Sequence, residues 1–181
     1  MNFSINDLDK SYVRYYYEDR ITEKTFDPIT YVSDIIGVEK AFIAYATASK
    51  NKKRLYTFLA DCIKRSLPIH KQEYPFDIYA VKSIKLIRNF KNIIELKKFN
   101  QSRPGCLYKK YPSLHSLIYR AIMLIRWIES KPNKYRIPKI DSEANLFFQE
   151  IYRNQKNMTI IKLETQITQL FLKNFKQREH Q

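Results

Sequence analysis

The sequence predicts an all-α protein, a single compact domain of about six to seven helices over residues 1–181, with two helical halves as the alternative. The chain contains only two glycines, whereas sheet proteins need many tight turns that often carry glycine. Apolar residues also recur at the i, i+3, i+4 spacing of amphipathic helices. With 44% hydrophobic residues, the chain is apolar enough to bury a substantial core.

The segment Leu114–Ile128 is the most apolar run in the chain and predicts the central helix. At about 100° per residue its aliphatic side chains cover one broad face, and Ile122, Met123 and Trp127 extend the apolar surface beyond that face. A helix that is apolar over most of its circumference is normally buried by several others. Arg120 and Arg126 lie off the face, where their charged ends can reach solvent.

The N-terminal part of the chain predicts three amphipathic helices. The first covers about Asp7–Arg20, and the second starts at Asp27–Pro28, where a capping acid precedes a proline. At Gly37 this helix either bends or restarts, because the apolar spacing resumes after it. A further helix begins near Leu55 and is expected to end at Pro68, since proline cannot continue the hydrogen-bonding pattern of a helix.

The residues 68–75 contain two prolines and have no periodicity, so they are the predicted internal boundary. This boundary would divide a near-neutral half, residues 1–67, from a basic half, residues 76–181. The net charge of the chain is +15, and residues 80–140 alone carry 15 lysines and arginines against Glu95 and Glu129. Such asymmetry is typical of a surface that binds a polyanion.

The clearest carrier of this charge is a helix predicted at about Phe76–Leu96. Its apolar residues occupy one arc, and four cations spaced every three residues climb the opposite half: Lys82, Lys85, Arg88 and Lys91. Such a row suits the phosphates of a nucleic acid, because each contact releases condensed counterions. The alternative is an ordinary solvated helix face, although acids would normally be interspersed on such a face.

Two basic connectors flank the central helix. Residues 97–112 are expected to form a loop in which cations alternate with aromatic residues, a combination found in proteins that bind single strands and loops. Residues 131–139 form a second connector. An antiparallel pairing of helices 76–96 and 113–130 would place the two connectors at opposite ends. Together they add eight candidate nucleic-acid-binding residues: Lys97, Lys98, Arg103, Lys109, Lys110, Lys134, Arg136 and Lys139.

Two more helices complete the predicted fold. Asp141 or Ser142 is expected to cap the first, which faces its phenylalanines inward and ends near Asn154. The last helix covers about Thr159–Phe175 and has one apolar face at regular i, i+3, i+4 spacing. This helix is expected to close the core.

The sequence carries no recognisable catalytic motif, and we expect neither enzymatic activity nor a cofactor. The histidines, His70, His115 and His180, are too few and too scattered to predict a metal site. Cys62 lies among apolar residues and is expected to be a reduced core thiol. Cys106 could pair with His115, but no orienting group or oxyanion site accompanies them.

These observations favour a non-enzymatic protein that binds DNA or RNA through residues 80–140, as an accessory subunit of a larger complex. The alternative is a scaffold subunit of a multi-protein assembly that does not itself contact nucleic acid. Peripheral binding to an anionic membrane is a weaker hypothesis, because the core needs the apolar face of the basic helix. The first residues lack the features of a secretory signal, and no run of about 18 apolar residues occurs. We therefore expect an intracellular protein without a transmembrane segment, in the nucleus or nucleoid if it binds nucleic acid.

Overall fold

The computed structural model describes residues 3–4, 25–26, 37–48, 52–101, 112–155 and 158–176. Within these residues the fold is all-α, as predicted, and the helices pack in a single compact arrangement. Two two-residue strands, β1 Phe3–Ser4 and β2 Thr25–Phe26, pair antiparallel, with Phe3 opposite Phe26. The helices of the described residues are α1 Gly37–Ala48, α2 Lys53–Glu73, α3 Ile78–Arg88, α4 Ile93–Gln101, α5 Pro112–Ile128, α6 Arg136–Asn154 and α7 Ile160–Lys176. The predicted helix at Asp7–Arg20 and the helix start at Asp27–Pro28 lie outside the described residues.

The central helix is buried as the sequence predicts. α5 packs against α2, α3 and α6. Its apolar face is completely inaccessible to solvent at Leu114, Leu117, Ile118, Ala121, Ile122, Leu124, Ile125 and Ile128. Despite this apolar character, no helix of the described residues is both long and apolar enough to cross a bilayer.

α2 is the longest helix described, and it packs against α1, α3, α5, α6 and α7. The expected helix end at Pro68 is wrong, because α2 continues through Pro68 to Glu73. Pro68 cannot donate a hydrogen bond to the carbonyl of Lys64, one turn earlier. Both residues are exposed, so we infer that this carbonyl is hydrated. The buried cluster joins helices from both sides of residues 68–75.

The basic helix predicted at Phe76–Leu96 is two helices, α3 and α4. α3 ends at Arg88, and the side-chain oxygen of Asn92 accepts a 2.9 Å hydrogen bond from the backbone N–H of Glu95, which caps the start of α4. The expectation of a loop at residues 97–112 is wrong for residues 97–101, which belong to α4. The break allows Leu96 to be fully buried on a helix that folds back along α3.

α3 and α5 run in the same direction, which corrects the predicted antiparallel pairing of residues 76–96 with 113–130. At their N-terminal ends Asp77 contacts His115, and at their C-terminal ends Arg88 and Glu129 line the same groove. α4 returns antiparallel to α3, since Phe99 near its end stacks on Tyr79 at the start of α3, with ring centroids 4.7 Å apart. The α3–α4 hairpin, rather than an α3–α5 pair, thus presents the basic segment.

α6 and α7 close the other side of the core. α6 begins at Arg136, earlier than the predicted caps Asp141 and Ser142, because the side-chain oxygen of Asn133 accepts from the Tyr135 N–H and turns the chain into the helix. α7 agrees with the predicted last helix within one residue at each end. The ring of Phe58 on α2 lies in a cluster with Phe42, Phe148, Phe171 and Phe175.

Gly37 begins α1 with φ of +70°, a left-handed conformation that side chains with a Cβ adopt at a cost. A Cβ at this position would contact nothing within 4 Å, so the cost is conformational and not steric. We expect Gly37→Ala to lower the free energy of unfolding by about 1–2 kcal/mol and Gly37→Asn to lower it less, since Asn tolerates this conformation. Urea denaturation measures both. Equal values for the alanine variant and the wild type would contradict this assignment.

The continuation of α2 through Pro68 also makes a prediction. If Pro68 lies within the helix, Pro68→Ala restores a backbone donor to Lys64 and raises the free energy of unfolding by about 1–3 kcal/mol. If the helix instead ended at Pro68, the substitution would leave the free energy unchanged or lower it. Thermal and urea denaturation distinguish these outcomes, and circular dichroism reports whether the helical content is retained.

Candidate functional site

The α3–α4 hairpin, residues 78–101, exposes five of the predicted binding residues. We call them the hairpin lysines: Lys82, Lys85, Lys91, Lys97 and Lys98. None of the ion pairs formed among the described residues involves them. Glu95 is the hairpin's single acid, so this surface keeps most of its positive charge. Acids from other helices do not neutralise it within the described part of the chain.

The orientation of these lysines follows from how α3 is built. Asp77 caps the helix by accepting hydrogen bonds from the N–H groups of Tyr79 and Ala80. The buried residues of α3, namely Ala80, Ser83, Ile84 and Ile87, fix its inner face. Lys82 and Lys85 occupy the opposite side, one helical turn apart.

Arg88 is held by the fold. Its guanidinium donates to the carboxylate of Asp61 on α2, which also accepts a 3.3 Å hydrogen bond from Asn174 on α7. The Arg88 side chain keeps 39% of its surface accessible. It therefore contributes to the electrostatic potential of the hairpin, but its charge is partly neutralised by Asp61.

Arg136 has a structural role that the sequence did not reveal. Its Nε and Nη2 atoms donate to the carbonyls of Trp127 and Ile128 at 3.3 and 2.9 Å, at the C-terminal end of α5. Lys52 Nζ donates to the same Ile128 carbonyl at 2.7 Å. These cations satisfy the Ile128 carbonyl, which has no partner within the helix, and Arg136 adds to the hydrogen bonds that Ser130 donates to the Trp127 carbonyl. Both cations also interact favourably with the negative end of the helix dipole.

The remaining predicted residues fall into two groups. Lys134 is exposed on the connector between α5 and α6, and Lys139 is exposed near the start of α6. The Lys134 ammonium lies 4.9 Å from the ring centre of Tyr135. Arg103, Lys109 and Lys110 lie outside the described residues. The structure thus gathers five lysines on one hairpin and separates them from Arg136, which caps α5.

A concave surface at the turn of the hairpin, which we call the basic groove, has a volume of about 590 Å³. It is lined by Lys52, Lys53, Tyr56, Arg88, Asn89, Phe90, Lys91 and Glu129. Phe90 packs edge-on against Tyr56 with ring centroids 4.9 Å apart. Four cations and one acid give the groove a positive character.

Glu129 lies inside the basic groove and is held by two side chains. The Tyr56 hydroxyl donates to its carboxylate, and Lys52 Nζ lies 3.7 Å from the same oxygen. Burial raises the pKa of Tyr56 strongly, and the hydrogen bond to Glu129 raises it further. Burial also lowers the pKa of Lys52, although Glu129 opposes this effect. Lys52 and Glu129 therefore largely balance each other within the groove, and Asp61 partly neutralises Arg88.

The opposite end of helices α2, α3 and α5 holds a buried polar cluster that we call the His–Asp cluster: His70, Asp77 and His115. The Nε2 atoms of both histidines lie 2.7 Å from Oδ2 of Asp77. Burial of Asp77 by itself would raise its pKa, but hydrogen bonds from His115 and His70 lower the pKa below its ordinary value. Sequence reasoning missed this cluster because it ended the helix of His70 at Pro68.

Cys62 is the described cysteine, and it is a free thiol within the core, as predicted. Burial raises its pKa strongly, which suppresses the reactive thiolate. Cys106, which could have paired with His115, lies outside the described residues.

Comparison of the chain with protein-family models, with curated proteins and with solved structures finds no match.

The different environments of two neighbouring cations give a prediction. Arg136→Gln removes two hydrogen bonds to the end of α5 and should lower the free energy of unfolding by about 1–2 kcal/mol. Lys139→Gln, which removes an exposed cation from the same helix, should change it by less than about 0.5 kcal/mol. Urea denaturation of both variants measures the difference. Equal effects would show that Arg136 does not cap α5.

Proposed function

We propose that the protein is a non-enzymatic nucleic-acid-binding protein that contacts the phosphate backbone through the hairpin lysines and the adjacent basic groove. The single observation that carries this proposal is that the five hairpin lysines are exposed and form no ion pair with any described acid. An exposed helix face with no function would normally intersperse acids among its cations.

The spacing of the cations supports a linear polyanion over a small ligand. Lys82, Lys85 and Arg88 follow one another at intervals of three residues, so they span about 9 Å of helix axis. Double-stranded DNA carries about five charges in that length, one for each 1.7 Å. A single phosphate would engage one or two of these cations and leave the others without a counterion.

The basic groove lies at the turn of the α3–α4 hairpin and continues its basic surface, because Arg88 and Lys91 belong both to the hairpin and to the lining of the groove. Phe90 lies between these two cations in the sequence and is half-buried, so part of its ring faces the groove. An aromatic ring beside cations can stack on an unpaired base, a contact that stabilises single-strand complexes by about 1–3 kcal/mol. The groove therefore favours a nucleic acid with an accessible single strand or loop. The proposal includes both single-stranded and double-stranded nucleic acid.

Membership of a larger assembly is the second part of the proposal. We propose that the protein acts there as an accessory subunit, and that any chemistry on the nucleic acid belongs to another chain. Exposed apolar side chains away from the hairpin lysines support this part, among them Ile160 and Ile161 at the start of α7, which are 66% and 78% exposed. In the scaffold alternative, the protein would bind partner proteins through such side chains without contacting nucleic acid.

Fluorescence anisotropy with labelled single-stranded RNA, single-stranded DNA and duplex DNA tests the proposal. The wild type should bind at low salt, and its affinity should fall by about 100-fold between roughly 50 and 200 mM salt if four phosphates are contacted. The variant Lys82→Glu/Lys85→Glu/Lys91→Glu/Lys97→Glu should lose more than about 100-fold in affinity and most of the salt dependence. Arg88 is left unchanged so that its contact with Asp61 is preserved.

A matched control changes four exposed lysines on α2 and α7 in the same way: Lys64→Glu, Lys71→Glu, Lys162→Glu and Lys173→Glu. This control alters the net charge by the same amount, so it should lose less than about tenfold in affinity if the hairpin is the binding surface. Equal losses in the two variants would assign binding to overall charge and overturn the proposal. Absence of wild-type binding at low salt would favour the scaffold alternative instead.

A further inference from the structure

We propose that the His–Asp cluster is a binding site for a zinc-type divalent metal ion, coordinated by His70 Nε2, His115 Nε2 and Asp77 Oδ2. The three side chains offer ligand atoms that all lie within 4.8 Å of one another. They come from the last turn of α2, the cap of α3 and the first turns of α5. This site is separate from the hairpin lysines and goes beyond the proposed function.

The chemistry of the ligand set selects the metal. Two neutral imidazoles and one carboxylate are typical ligands of zinc and neighbouring transition metals, whereas calcium and magnesium prefer all-oxygen sites. Three protein ligands leave the fourth tetrahedral position for a water molecule. The side chains of the three residues are nearly inaccessible to solvent, with exposures of 4%, 2% and 0% for His70, Asp77 and His115.

The distances fit a metal after a small adjustment. Two ligands bound to zinc at about 2.0–2.1 Å and a tetrahedral angle are separated by about 3.3 Å. Each imidazole Nε2 now lies 2.7 Å from Asp77 Oδ2, so each separation must open by about 0.6 Å. Side-chain rotation of the histidines and of the carboxylate is sufficient for a change of this size.

The two carboxylate oxygens of Asp77 have different partners, which supports a role for Oδ2 as a metal ligand. Capping of α3 uses only Oδ1, which accepts from the N–H groups of Tyr79 and Ala80 at 3.0 and 3.4 Å. Oδ2 is not needed for the cap, and both buried imidazoles converge on it with the same ring atom. Burying two imidazoles and a carboxylate costs more than apolar packing of the same volume would. A bound cation offsets this cost.

Aromatic packing holds the two imidazoles in place. The ring of Tyr79 stacks on His115 with centroids 5.3 Å apart, and Phe99 also stacks on Tyr79. Tyr74 lies 5.0 Å from His70, ring centre to ring centre. Ligands oriented in advance in this way bind a metal at a lower entropic cost. A bound ion would join α2, α3 and α5 at the end of the fold opposite to the basic groove, so its binding would add to the free energy of folding.

Zinc binding by the purified full chain, stripped with a chelator and then titrated against a chromophoric zinc indicator, tests this proposal. The wild type should bind one zinc ion per chain, and zinc should raise its melting temperature. Asp77→Asn, which keeps an oxygen to cap α3, should weaken zinc binding by at least about tenfold, as should His70→Gln and His115→Gln. His180→Gln is the matched control and should bind zinc as tightly as the wild type.

A wild type that binds no zinc, or three cluster variants that bind it as tightly as the wild type, would overturn the proposal. The cobalt(II) spectrum of the wild type provides a readout that does not depend on the folding of any variant. Cobalt bound to two imidazoles and a carboxylate should give visible d–d bands without a thiolate charge-transfer band. A thiolate band would assign the metal to a cysteine and contradict the site, whereas its absence together with d–d bands supports it.

Discussion

The complete burial of the apolar face of α5 is the constraint that orders the rest of the structure. A helix end ordinarily leaves four carbonyls without intrahelical partners, and water satisfies most of them when the end is exposed. The core positions of α5 are buried as far as Ile128, so protein side chains replace part of the water as hydrogen-bond donors to these carbonyls. Lys52 and Arg136 do so by donating to its last carbonyls. The positions of α2 and α6 are thereby fixed at the C-terminal end of the central helix.

The same principle divides the cations of the chain into two kinds. Some are held by the fold at the ends of helices, as Arg54 is by the carbonyl of Phe175 at the end of α7. Others lie on solvent-facing positions, as Lys82 and Lys85 do, and form no ion pair among the described residues. A net charge counted along the sequence combines both kinds. Only the second kind can exchange its counterions for a polyanion without weakening the fold.

Helices α2, α3 and α5 have chemically different ends. At one end the chain concentrates cations around the basic groove, and at the other it buries the His–Asp cluster under aromatic rings. The two ends share the α3 helix, since Asp77 begins it and Arg88 ends it. A change that loosens the cluster can therefore alter the position of the hairpin, because α3 is a rigid connection about 16 Å long.

The sequence by itself determined the all-α fold, the buried face of α5 and the outward position of Lys82 and Lys85. These properties follow from the period of the helix, which is a local property of the chain. The start of α1 at Gly37 is also local, because the apolar spacing that follows Gly37 predicts a helix there and a positive φ favours glycine.

Only the tertiary structure decided the break between α3 and α4, the continuation of α2 past Pro68 and the parallel course of α3 and α5. Each of these depends on which surfaces are buried against one another, and burial can outweigh a local preference such as that of proline. The His–Asp cluster and the role of Arg136 depend on the same packing, because their partners are brought together from separate helices. The spacing of residues along a single helix does not predict the distances between these partners, because those distances are set by how the helices cross.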